Sequence, residues 1–74
     1  MDRLRVKYGL SDAEPSREQA RLWVSRTRQF MREGVEAEEA GRRAARGVFH
    51  SYGQFEYRAE ADTIYDLLQA IERE

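Results

Sequence analysis

The sequence predicts a small all-α domain, and three observations carry that prediction. Apolar residues recur at three- and four-residue steps in two separate stretches, residues that start and stop helices bracket the first of them, and small residues line a segment between the two. The expected architecture is a hairpin of two helices with a third docking across it, preceded by a short N-terminal strand or arm, in one domain spanning residues 1–74.

From Arg3 to Tyr8, Leu4, Val6 and Tyr8 alternate with Arg3, Arg5 and Lys7, the period-two pattern of a half-buried strand. Such a strand needs a partner: a symmetry mate, or the segment Gln54–Ala59, where Phe55, Tyr57 and Ala59 also alternate. The alternative is an arm lying over the helices through the same three side chains. Gly9 to Pro15 reads as a connector, with Ser11, Asp12 and Pro15 as turn residues.

Ser16 with Gln19 three residues on matches a capping box, and Pro15 blocks extension backwards. The first helix is expected from about Arg17 to Glu33, stopped by Gly34. Its core stripe is Ala20, Trp23, Val24, Thr27, Phe30 and Met31, with Leu22 nearly opposite. Beside the stripe, Arg17, Arg21, Arg28 and Arg32 stand along one edge at spacings of four, seven and four.

The second helix is expected to start near Glu36. Glu36, Glu38 and Glu39 lie early and Arg42, Arg43 and Arg46 late, the polarity a helix dipole favours. Glu38 with Arg42, and Glu39 with Arg43, have the spacing for ion pairs along a solvated face. The buried side, Ala37, Ala40, Gly41, Ala44 and Val48, is small, so the bulky stripe of the first helix can approach it closely. A glycine inside a helix costs up to about 1 kcal/mol relative to alanine, and close approach of a neighbouring backbone is the expected reason for Gly41.

This helix should end between Gly47 and Gly53. Beyond it Tyr57, Ala61, Ile64, Leu68 and Ile71 form a heptad seam, flanked by Tyr65 and Leu67. An apolar arc that wide calls for a second packing partner, such as another copy of the chain.

Composition narrows the function. A core built from 74 residues is marginal on its own, and self-association is the natural supplement. With no cysteine in the chain, thiolate zinc sites, disulfides and cysteine nucleophiles are ruled out. The net charge is -1, yet residues 1–34 hold eight Arg/Lys against five Asp/Glu and residues 35–74 hold five against nine, an asymmetry that can orient a charged partner. No apolar run is long enough to span a bilayer and no signal-peptide pattern opens the chain, so the expected location is cytoplasmic. Twelve arginines to one lysine and no asparagine suggest a GC-rich bacterial genome.

Chemistry has few candidates. His50 is the only histidine; a metal site would need a second copy, with Glu56 or Glu60 adding oxygen ligands. No Gly-x-Ser-x-Gly or phosphate-binding glycine loop is present. Glu56, Glu60, Asp62 and Asp66 could do acid-base work only in a cleft that so short a chain has little room to build. The expectation is a non-enzymatic interaction module with no cofactor or metal, a small regulatory or accessory subunit, homo-oligomeric or binding an acidic protein. Its aromatic contact residues would be Phe49, Tyr52, Phe55 and Tyr57, since aromatic side chains dominate interface energetics. The alternative is a nucleic-acid-binding regulator that uses Arg17, Arg21, Arg28 and Arg32 with the basic N-terminal strand. Against it stand the negative net charge and the three glutamates at the start of the second helix.

Overall fold

The computed structural model describes residues 2–10, 15–53 and 62–73, and these form four helices. They are α1 (Asp2–Tyr8), α2 (Arg17–Arg32), α3 (Ala37–Val48) and α4 (Ile64–Glu72).

The α2–α3 hairpin follows from local chemistry. The Ser16 hydroxyl accepts from the Gln19 amide at 3.1 Å and the Gln19 side chain accepts from the Ser16 amide at 3.0 Å, closing the capping box. At the other end Gly34 has φ 94°, its amide donates to the Met31 carbonyl and the Val35 amide to that of Phe30, both at 3.0 Å. That pair of bonds is a Schellman stop, and it needs the left-handed backbone that glycine supplies. The Glu36 carboxylate then caps α3 by accepting from the amides of Glu38 and Glu39 at 2.9 and 3.2 Å.

Large packs against small across this hairpin. Trp23 is fully buried, and its indole N–H donates to the Gly41 carbonyl at 2.9 Å. Ala40, Gly41, Ala44 and Ala45 form the buried face of α3, while Ala37 and Val48 are half-buried at its margins. A Cβ on Gly41 would come within 2.6 Å of the Tyr8 hydroxyl oxygen and closer still to the Ile64 side chain. The groups crowding that glycine are therefore side chains from α1 and α4, where a neighbouring backbone was expected.

The N-terminal segment departs from expectation: Arg3 to Tyr8 is helical, and the described residues contain no strand. Leu4 and Tyr8 are four apart as well as members of an alternating set. Both are fully buried while Val6 is 40% exposed, as a helix requires and a strand would not. Gly9, at φ 61°, ends the helix, and the Leu10 amide donates to the Arg5 carbonyl at 3.1 Å. The Tyr8 ring lies 6.0 Å from those of Trp23 and Tyr52 and 6.4 Å from that of Phe49, so α1 supplies the centre of the aromatic core.

The third expected helix is also modified. Among the described residues α4 starts at Ile64, where the Thr63 hydroxyl accepts from the Asp66 amide at 3.2 Å. Tyr57 and Ala61, the first members of the expected seam, lie outside the described residues, as do Ser11, Asp12 and the segment 54–59. Ile64, Leu67, Leu68 and Ile71 are all buried within the chain, which leaves Tyr65 as the exposed part of the arc, at 62%. None of the described helices is long and apolar enough to cross a membrane.

Candidate functional site

Arg17, Arg21, Arg28 and Arg32 all lie on α2, at the edge next to the buried stripe, as their spacing required. α4 runs beside that edge. Between the two helices a groove of about 560 Å³ is lined by Arg21, Val24, Ser25, Arg28 and Arg32 of α2 and by Ile71 and Glu72 of α4. Its floor is apolar, since Val24 and Ile71 belong to the core. Met31, half-buried, extends the apolar surface past Arg28 and Arg32.

One carboxylate is already in the groove. Arg28 holds Glu72 through two parallel bonds, Nη2 to Oε1 at 2.6 Å and Nε to Oε2 at 3.1 Å. The two side chains are 43% and 46% exposed, so water screens the pair and its net worth is about 0.2–1 kcal/mol. Among the described residues Arg21 and Arg32 have no acidic partner within ion-pair distance. Arg28 thus sits between two uncommitted guanidinium groups, about 10 Å away on one side and about 6 Å on the other along the helix.

Lys7, Arg3, Arg42 and Arg43 are tied into the fold. Lys7 is fully buried and donates to Glu38 Oε1 at 2.8 Å and to the Asp62 carbonyl. A lysine that deep needs such partners, because its charge has left water. Arg3 forks onto Asp62, with Nη2 to Oδ1 at 2.8 Å and Nε to Oδ2 at 3.2 Å. On α3, Glu39 pairs with Arg43 at 3.0 Å, the expected four-residue pair, and with Arg42 at 3.5 Å. The Arg43 hydrogen bond holds the Glu39 carboxyl below the usual glutamate range.

Asp62 carries a pH consequence. The bond from Arg3, aided by the charges of Arg3 and Lys7, lowers its pKa despite partial desolvation. A depressed folded-state pKa gives stability that is present above the unfolded value, near 4, and is lost as pH falls through the folded one. Arg3 is 42% exposed and Asp62 24%, so screening limits the contribution to about 1 kcal/mol or less. Asp62→Asn should therefore be slightly less stable than wild type at pH 7 in urea titrations, and the gap should close below about pH 4. A gap that does not change with pH would remove the ion pair as its source.

The aromatic stretch divides. Phe49 is buried against Tyr8, so its ring lies inside the chain. Tyr52 is half-buried between Tyr8 and the Arg46 guanidinium, whose carbon stands 5.7 Å from the Tyr52 ring centre. Phe55, Tyr57, Glu56 and Glu60 lie outside the described residues. His50 is exposed. The sequence reading found the arginine edge but missed Glu72, Ile71 and Val24 as groove walls; the four-by-seven spacing shows an edge, and no local signal shows what faces it.

Comparison of the chain with protein-family models, with curated proteins and with solved structures finds no match.

Proposed function

We propose that the chain is a non-enzymatic protein–protein interaction module, a small regulatory or accessory subunit, whose contact surface is the α2/α4 groove. The observation that supports this is the groove itself: Arg21, Arg28 and Arg32 stand over an apolar floor of Val24 and Ile71. Guanidinium forks recognise carboxylates bidentately, and the floor rewards an apolar side chain. The partner this reading favours is an acidic protein surface.

Nucleic acid is the second reading, and Arg17, Arg21, Arg28 and Arg32 favour it. It has lost its N-terminal strand, because Arg3 and Lys7 lie on a helix and are bound to Asp62 and Glu38. Self-association also belongs to the proposal, with less behind it than the sequence suggested: the apolar arc of α4 is covered from within, and Leu22 at 45%, Tyr65 and Val6 are the large apolar side chains exposed among the described residues.

The test is fluorescence anisotropy of labelled poly-L-glutamate and of a labelled mixed-sequence DNA duplex at low salt. The Arg21→Glu/Arg32→Glu double variant should weaken poly-L-glutamate binding about tenfold or more while melting like wild type, both side chains being exposed. Binding of DNA alone would move the function to nucleic acid. Binding of neither, or binding indifferent to the two reversals, would overturn the proposal.

A further inference from the structure

The geometry points to one occupant for the groove: an acidic, amphipathic segment of another protein, whose carboxylate takes the place of Glu72 on Arg28 and whose apolar side chain rests on Val24 and Ile71. This rests on the groove being the contact surface, and adds the partner's chemistry and the role of Glu72.

Glu72 shows what the groove recognises. Its two oxygens meet the Nη2 and Nε of Arg28 in the fork geometry that a planar carboxylate satisfies best. The pair is nearly half exposed on both sides, so exchanging it for another carboxylate costs little. Arg21 and Arg32, without acidic partners among the described residues, then give an incoming segment two further charges to meet. Glu72 supplies only one carboxylate to three arginines. The groove volume, about 560 Å³, lies within the roughly 300–1,000 Å³ of ordinary ligand sites.

Among the described residues, the charges favour a different molecule over a second copy. Among the described carboxylates, Glu36 caps α3, Glu38 holds Lys7, Glu39 holds Arg42 and Arg43, and Asp62 holds Arg3. Those left, Glu18 in the first turn of α2, Glu33 at its C-cap and Asp66 in α4, are far apart along the chain and form no acidic stretch. Phosphate backbones fit less well than an amphipathic segment, since they make no use of the Val24–Ile71 floor.

The probes are two labelled twelve-residue peptides, one alternating glutamate with leucine and the other glutamate with serine, measured by anisotropy against wild type and Glu72→Gln, with the DNA duplex as a third probe. Glu72→Gln should tighten the leucine peptide about two- to fivefold, the worth of an exposed ion pair, and the same loss should lower the melting temperature by roughly 2–8 °C. The leucine peptide should bind wild type at least several-fold tighter than the serine peptide. An unchanged or weaker affinity in Glu72→Gln would overturn the exchange while leaving the interaction module standing, because poly-L-glutamate binding reads that separately. Equal binding of the two peptides would remove the amphipathic partner. A duplex that gains more than the peptide would assign the site to phosphate, and Glu72→Gln that promotes self-association in sedimentation would make the occupant a second copy; either result overturns the proposal.

Discussion

Trp23→Ala should remove a large part of the stability of the domain. Replacing a fully buried tryptophan by alanine costs about 3–5 kcal/mol, from lost burial and from the cavity left behind. Here the substitution also takes the indole donor from the Gly41 carbonyl, which sits in the buried face of α3. A 74-residue domain has roughly 4–11 kcal/mol in total, so the loss takes from about a quarter to all of it. At about 4–8 °C per kcal/mol for a chain of this size, the melting temperature should fall by roughly 12–40 °C. Circular dichroism is the suitable probe, because Trp23 is the only tryptophan and the variant has no indole fluorescence. Leu22→Ala is the control: it is next in sequence but 45% exposed, and should change stability by no more than about 0.5 kcal/mol. Equal effects of the two would mean that Trp23 does not join the hairpin as described.

The difference between those neighbours was legible in the sequence, and so was most of the hairpin. Trp23 falls on the three- and four-residue stripe and Leu22 opposite it, and Ser16, Gln19 and Gly34 mark both ends of α2 by side-chain chemistry that acts within a few residues. α1 was misread because seven residues cannot separate the two periodicities. Leu4 and Tyr8 fit both, and Val6 alone distinguishes them. Gly9 following Arg5 and Lys7, a glycine stop behind basic residues, was the better signal. The start of α4 was hidden in the opposite way: Thr63 and Asp66 have capping spacing, but heptad steps that run on through Tyr57 and Ala61 pointed further back. At the site, the arginine edge is local and was visible. Its partner Glu72 is 44 residues from Arg28, and Lys7 meets Asp62 across 55, distances over which no spacing rule operates.

Tyr8→Ala should be the second large loss, about 3–5 kcal/mol by the same reasoning, since the ring is fully buried among Trp23, Phe49 and Tyr52. Its hydroxyl also explains why α3 keeps a glycine at position 41. Helix propensity alone says that Gly41→Ala stabilises by up to about 1 kcal/mol. The space says otherwise: a methyl group there meets the Tyr8 hydroxyl at 2.6 Å and the Ile64 side chain more closely, and both residues are locked in the core. Overpacking of that kind costs about 1–3 kcal/mol, so the net effect should be destabilising. If the Tyr8 hydroxyl is one of the two obstructions, Gly41→Ala must cost less when that oxygen is absent. Tyr8→Phe removes it and keeps the ring, so the double variant can be measured even if Tyr8→Ala is too unstable to handle. A urea double-mutant cycle should then give a coupling of about 0.5 kcal/mol or more. Additivity would leave Ile64 as the sole obstruction, and would make the requirement for glycine a matter of α3 against α4, with no part played by α1.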